Sequence, residues 1–162
     1  MGTLVKGVTI ELVKANDADL DEILAFVNEI NREWYSKIIP SEHWSEPFLT
    51  MQQIQEMSEF MDFFVHRRDD SIIAVGSFST TDEETAWIPL MYVRSDSQRI
   101  GIGSSLMYYL EEIAKQRNFR RIHLETDSEA EWALNFYRKH GYAIFKKDKN
   151  PWGFHVWLEK LL

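Results

Sequence analysis

The sequence contains no cysteine. That excludes disulfides, thiol nucleophiles and cysteine-ligated zinc, and it fits a reducing, cytoplasmic setting. Glycine and proline are scarce, at 7 and 4 of 162 residues, and no low-complexity segment, linker or internal repeat is present. No run reaches the roughly 18 apolar residues of a membrane-spanning helix. The first residues hold no secretory apolar core, and Lys6 stands where a myristoylation signal on Gly2 would want serine or threonine. Basic side chains are outnumbered 18 to 26, for a net charge of −8. Such a field disfavours nucleic acid and anionic membranes and favours cationic partners such as amines, or simply keeps the chain soluble. His43, His66, His123, His140 and His155 show neither HExxH nor two-His helical spacing, so no metal site is expected.

What is present is core. Hydrophobic residues make up 44% and aromatics 14%, enough for one globular domain over residues 1–162. Alternation over 8–13 reads as a first strand. Asn16 or Asp17 then caps a helix whose apolar face is Leu20, Ile23, Leu24, Val27, Ile30 and Trp34. A second helix carries Met51, Ile54, Met57 and Met61 inward. Residues 63–66 and 72–79 form a hairpin through Arg68-Asp69-Asp70, and 87–93 is a further strand. Pro89 within that strand cannot donate a ladder hydrogen bond, so local unpairing is expected there. A helix over 101–117, a strand over 121–126, a helix opened by a Ser128–Glu131 capping box and closed by Gly141, and strands over 142–147 and 154–159 follow. The order is β-α-α-β-β-β-α-β-α-β-β, a mixed α/β sheet with helices on its faces.

The sharpest feature is Gln98-Arg99-Ile100-Gly101-Ile102-Gly103, between a strand and an amphipathic helix. Its glycines let the backbone approach a ligand, and the helix start adds free N–H groups and the positive end of its dipole, so phosphate is the natural guest. A plain tight turn is the alternative. A Walker loop is excluded because Gly103 is followed by Ser104-Ser105 without lysine, and the dinucleotide fingerprint fails because Leu106 stands at its third glycine.

These residues resemble the GNAT superfamily of acetyl-CoA-dependent N-acetyltransferases. The family motif Gln/Arg-x-x-Gly-x-Gly/Ala is matched by Gln98, Gly101 and Gly103; a second motif is matched by Ala133, Phe136, Tyr137, Lys139, Gly141 and Tyr142. The resemblance implies a GNAT-like acyl-CoA N-acyltransferase fold. It implies a pyrophosphate held by backbone N–H groups of Gln98, Arg99, Ile100, Gly101, Ile102, Gly103 and Ser104, and a pantetheine arm pairing with Met91, Tyr92 and Val93. It also implies that Tyr137 faces the coenzyme sulfur, and that an amine attacks the thioester directly, without an acyl-enzyme. The absence of a Gly-x-Ser-x-Gly elbow agrees with that. Two positions depart from the pattern: Ala130 replaces a frequent asparagine, and Trp87 stands near the place of a glutamate base used by some members. Glu84, Glu125 and His123 are the substitute bases by proximity, and a chain of waters is an alternative.

In such proteins the acceptor pocket is commonly built where residues 34–47 lie. Trp34, Tyr35, Glu42, His43, Trp44 and Glu46 combine aromatic faces with carboxylates, which suits a cation. Trp152 can add a wall. A small cationic amine is the expected acceptor; a protein or peptide amine, or a non-catalytic acyl-CoA-binding module, are the other readings. The apolar C-terminal residues Phe154, Val156, Trp157, Leu158, Leu161 and Leu162 are consistent with a homodimer or with an internal edge strand.

Overall fold

The computed structural model describes residues 2–5 and 8–162, so Met1 and Lys6 of the N-terminal signal reading lie outside the described residues. Asn16 starts the first helical segment: its side chain accepts the Ala18 N–H, and Asp19 accepts the Asn16 N–H, both at 2.9 Å. One 3-10 turn later α1 runs over Leu20–Trp34, burying Leu20, Ile23, Phe26, Val27 and Ile30. Thr50 and Gln53 form a second capping box for α2, Met51–Ser58. Asp69 and Asp70, both at positive φ, turn the hairpin of β4 (Asp62–Arg68) and β5 (Ser71–Thr80).

The expected first strand over 8–13 is divided between two partners. Strand β1 (Gly2–Val5) pairs with β2 (Val8–Glu11) in a separate hairpin, and only β3 (Val13–Lys14) joins the large sheet, against β4. The expected strand over 87–93 is likewise two pieces, β6 (Thr85–Trp87) and β7 (Met91–Val93), on either side of Pro89. The remaining elements are α3 (Ile102–Gln116), β8 (Arg121–Asp127), α4 (Glu131–Lys139), β9 (Ala143–Asn150) and β10 (Gly153–Leu161). Sheet order is β3-β4-β5-β6-β8-β10-β9, with β7 pairing β5. The β6–β8 pair is parallel and its neighbours are antiparallel, giving a mixed sheet. No helix among the described residues is long and apolar enough to cross a membrane.

One expected cap does not form. Ala130 is the N-cap of α4, which puts Ser128 too early to reach the helix; its hydroxyl instead accepts the Phe154 N–H of β10 at 2.9 Å. The other end follows expectation, with Gly141 at φ 92 just past α4.

The period of two in the strands assigns each face a core. Phe63, Val65 and Val75 pack with α1 and α2. Phe64, Ala74, Phe78, Ile122, Leu124, Val156 and Leu158 pack with Leu106, Met107 and Leu110 of α3 and Leu134 of α4. Glycine at 76 lets α3 lie close to β5: a Cβ there would stand 2.9 Å from Leu106 Cδ1 and 3.0 Å from Leu110 Cδ1. Gly76→Val is therefore expected to lower unfolding stability by about 1–3 kcal/mol in urea titration, the usual range for overpacking. An unchanged midpoint would mean that α3 does not press on the strand.

Candidate active site

Strand β5 carries the split that makes the site. Near one end it pairs with β6 through Ser79 and Thr80; further along it pairs with β7 through Ala74, Val75 and Gly76. Between them the buried Ser77 replaces regular pairing, its N–H donating to the Leu90 carbonyl and its Oγ accepting the Leu90 N–H, both at 2.9 Å. Strand β6 pairs with β8 only as far as His123, whose carbonyl accepts the Ile88 N–H at 3.1 Å. Beyond that rung β7 stays with β5, and among the described residues it has no ladder to β8. The two halves of the sheet part in a V.

The V opens into a cleft of about 820 Å³. Its walls include Met91, Tyr92 and Val93 of β7; Gln98, Arg99, Ile100, Gly101, Gly103 and Ser104; and Phe136 and Tyr137 of α4. Gly101 adopts φ 94 as the N-cap of α3, a left-handed conformation that L side chains rarely take, and Arg99 sits at φ 65. The first helical bond runs from Ser105 N–H to Gly101 O at 3.0 Å. The N–H groups of Ile102, Gly103 and Ser104 therefore precede any intrahelical acceptor. Gln98 Nε2 donates to Val93 O at 2.8 Å, tying this loop to the end of β7. At Gly103 a Cβ would meet Phe136 at 3.2 Å, so the α3 start is packed directly on α4. The charged lining is cationic, Arg99 and Lys139. Free N–H groups, a helix start and two cations fit a pyrophosphate. Ile102 contributes backbone alone, because its side chain is in the core.

Three tyrosines face one another beyond the loop. Burial pushes the Tyr137 phenol well above its ordinary range, with Tyr92 nearby adding to the effect. Tyr92 is raised by burial too. Tyr35, in the 3-10 turn after α1, is raised chiefly by burial, and its hydroxyl lies 2.9 Å from Thr126 Oγ1 of β8. All three stay protonated at neutral pH. Trp34 and Tyr35 also meet Trp132 of α4, at ring separations of 5.3 and 5.5 Å, closing one side of the cleft.

The sequence-derived residues divide clearly. Trp34, Tyr35, Met91, Tyr92, Val93 and Tyr137 come together with the 98–104 loop. Glu84 lies before β6, half exposed, near Arg120 and Arg121 at 3.4 and 3.8 Å, and does not line the cleft. His123 points its Nε2 at Glu159 Oε2, 2.7 Å away, and stacks on Phe145. Glu42 is 78% exposed. Trp44 donates to Glu46 at 3.0 Å and stacks on Phe48, away from the cleft. Glu46 is itself held below the usual carboxylate range by its bond from Arg32.

Glu125 and Asp127 are not among the residues lining the cleft either, but they are placed differently. Ile122 and Leu124 of β8 face α3, so the alternation turns Glu125 and Asp127 to the other face, past the last β6 rung. Burial raises both carboxyl groups above their ordinary range. Glu125 Oε1 is 3.7 Å from His155 Nε2, and its Oε2 is buried without a partner. Among the described residues Asp127 accepts two long side-chain bonds, from Trp152 Nε1 and Asn150 Nδ2, each at 3.4 Å. Asp127 and Trp132 were not among the expected site residues. The period of two along β8 and the 132, 136, 139 spacing on α4 were the available signals.

The profile of the Acetyltransferase (GNAT) family matches residues 24–142. The uncharacterized protein YxbD of Bacillus subtilis (strain 168) is 30% identical over 102 residues, a span of 63% of either chain. Two solved structures share the fold over nearly the whole chain. The ribosomal-protein-alanine N-acetyltransferase of Brucella melitensis has a TM-score of 0.75 at 19% identity, covering 94% of this chain and 100% of that one. The PaiA N-acetyltransferase of Thermoplasma acidophilum, solved in complex with coenzyme A, has a TM-score of 0.74 at 20% identity, covering 96% and 100%. With the family profile spanning most of the chain and the glycine loop, the parted strands and Tyr137 meeting in one cleft, the chain belongs to the GNAT acetyltransferase family.

Proposed function

We propose that the chain, an acyltransferase of this family, moves an acetyl group from acetyl-CoA to a small cationic amine by direct attack. The observation that carries the reading is the single cleft in which the anion-cradling loop and Tyr137 share walls. The Thermoplasma neighbour crystallised with coenzyme A supports the donor. A small acceptor is favoured over a peptide because the ring contact of His43 with Trp152, at 5.4 Å, bridges the two loops on the acceptor side.

In this reading the loop from Gln98 to Ser104 binds the diphosphate, with Arg99 and Lys139 adding charge. The donor brings an activated thioester. Met91, Tyr92 and Val93 present strand edge to the pantetheine amides, since β7 lacks a ladder on its β8 side. An amine of pKa ~10.4 arrives protonated and must lose that proton before its nitrogen can form the new C–N bond. Glu125 receives it: burial raises its basicity, and the His155 ring lies 3.7 Å from its Oε1. As the C–S bond breaks, the nitrogen sheds its second proton to solvent to become the neutral amide, and Tyr137 donates a hydrogen bond to the departing thiolate. Its raised pKa means that it stabilises a thiolate of pKa ~8.5 without giving up its proton.

Acetyl-CoA is expected to raise the melting temperature, with ATP and NAD as inactive controls; no shift overturns the donor assignment. Tyr137→Phe is expected to lower kcat by about 10²-fold with acetyl-CoA affinity retained, measured by thiol release and calorimetry. Full turnover in this variant would remove Tyr137 from the mechanism. Glu125 yields a prediction independent of activity. Its folded-state pKa is raised, so its ionised form costs stability above that pKa, and the cost vanishes as pH falls below the unfolded value of ~4.3. Glu125→Gln should melt higher than wild type at pH 7 and equally at pH below about 4. In the same variant kcat/KM should fall by roughly 10²-fold and lose its rise with pH. Equal melting at pH 7 would argue against a strained carboxylate at this position.

A further inference from the structure

The second β8 carboxylate has no part in that proton transfer, yet its surroundings are those of a binding site. On the reading that the cleft acetylates a cationic amine, we propose that Asp127 holds a second positive charge of the acceptor, so that the preferred acceptor is a diamine.

Compensation elsewhere in the protein makes Asp127 stand out. The buried Glu111 is met by Lys160 at 3.0 Å and by the Tyr142 hydroxyl at 2.9 Å. Asp19 and Glu22 share Arg67 at 3.0 and 2.6 Å. Asp62 has Lys14 at 3.2 Å. Glu125 and Asp127 alternate with the core residues of β8 in the part of the strand beyond its β6 rung, and among the described residues neither forms an ion pair with lysine or arginine. A partly buried carboxylate whose side-chain hydrogen bonds among the described residues are two long ones retains unsatisfied acceptor capacity, and a cation arriving from solvent would supply what the chain does not.

The neighbours favour an alkylammonium over a metal ion. The Trp152 indole lies against Asp127, and the His43 ring packs on Trp152 at 5.4 Å. Tyr35 and Tyr92, both on the cleft wall, sense the Asp127 charge. Aromatic faces beside one carboxylate suit a cation carried on an apolar stem. Beyond Glu125, no third carboxylate among the described residues completes an oxygen shell. Glu125 and Asp127 are two residues apart on one strand face, about 6.6 Å along the chain. One amine at Glu125 for reaction and one ammonium at Asp127 for binding therefore defines a short alkyl diamine.

The test uses the full chain, acetyl-CoA, and two acceptors of equal carbon number, n-butylamine and 1,4-diaminobutane, followed by thiol release. Wild type should show a KM lower for the diamine by about tenfold or more, the range of a hydrogen bond to a charged group. Asp127→Asn should collapse that ratio to about one, Asp127→Glu should restore part of it, and Trp152→Leu should reduce it through loss of the ring. A wild-type ratio near one, or an Asp127→Asn variant that keeps the wild-type ratio, overturns the subsite while leaving acetyl transfer standing. No thiol release with either amine, although acetyl-CoA still raises the melting temperature, overturns the acceptor reading and the subsite together.

Discussion

A proline in the middle of a sheet sets the geometry on which the rest depends. Pro89 has no N–H to give, so the strand that would have run over 87–93 cannot pair evenly on both sides. The chain resolves this by giving each half to a different neighbour: Ala86 and Trp87 pair with both β5 and β8, whereas Met91–Val93 keeps only β5. Ser77 covers the transition by exchanging two hydrogen bonds with Leu90. The V that results exposes strand edge without exposing a sheet edge to solvent, because α3 and α4 close it from behind. A cleft lined by backbone donors and acceptors is thus a consequence of one missing hydrogen.

On the proposed reading of Tyr137, α4 has to stay fixed relative to that V. Its second half is pressed on the start of α3 where Gly103 meets Phe136, and its end is pinned by a buried network. Tyr142, just past α4, donates to Glu111 of α3, and Lys160 of β10 reaches the same carboxylate. Three elements thereby converge on one anion beneath the Tyr137 ring, which lies 6.1 Å from that of Tyr142. Such a pair contributes little net stability over an apolar core, and removing one partner is costly. Its physical value here is registration: the helix that carries Tyr137 cannot slide without breaking it.

Local chemistry was legible in the sequence to the extent that it is settled locally. The Asn16 cap, the left-handed Gly141, the Gly101 turn and the broken pairing at Pro89 each follow from the covalent properties of a residue and its immediate neighbours. The Ser128 cap failed because a competing acceptor role, toward Phe154 of β10, becomes available only once the sheet is assembled. The same limit governs the acceptor side. Glu42 and Trp44 have the right chemistry in the right loop, but the loop turns them to solvent and to Glu46. Asp127 carries no local signature; what distinguishes it is that no lysine or arginine among the described residues pairs with it, which depends on every other chain segment packed around it.

The electrostatics of the cleft resolve the apparent conflict between an acidic protein and an anionic ligand. Net charge acts over distances comparable to the Debye length, about 8–10 Å at physiological salt, whereas binding is decided at contact. At the loop end the contacts are backbone N–H groups with Arg99 and Lys139, so a diphosphate is received locally despite the overall charge of −8. On β8 two partly buried carboxylates, Glu125 and Asp127, have no lysine or arginine ion pair among the described residues, and there the local and global fields have the same sign. On the proposed reading, the charges that draw a cationic amine in at long range also hold it at short range. Once acetylated, its nitrogen is a neutral amide and no longer answers to that field, so in the same reading the reacted end is released by loss of charge while an ammonium at Asp127 stays held.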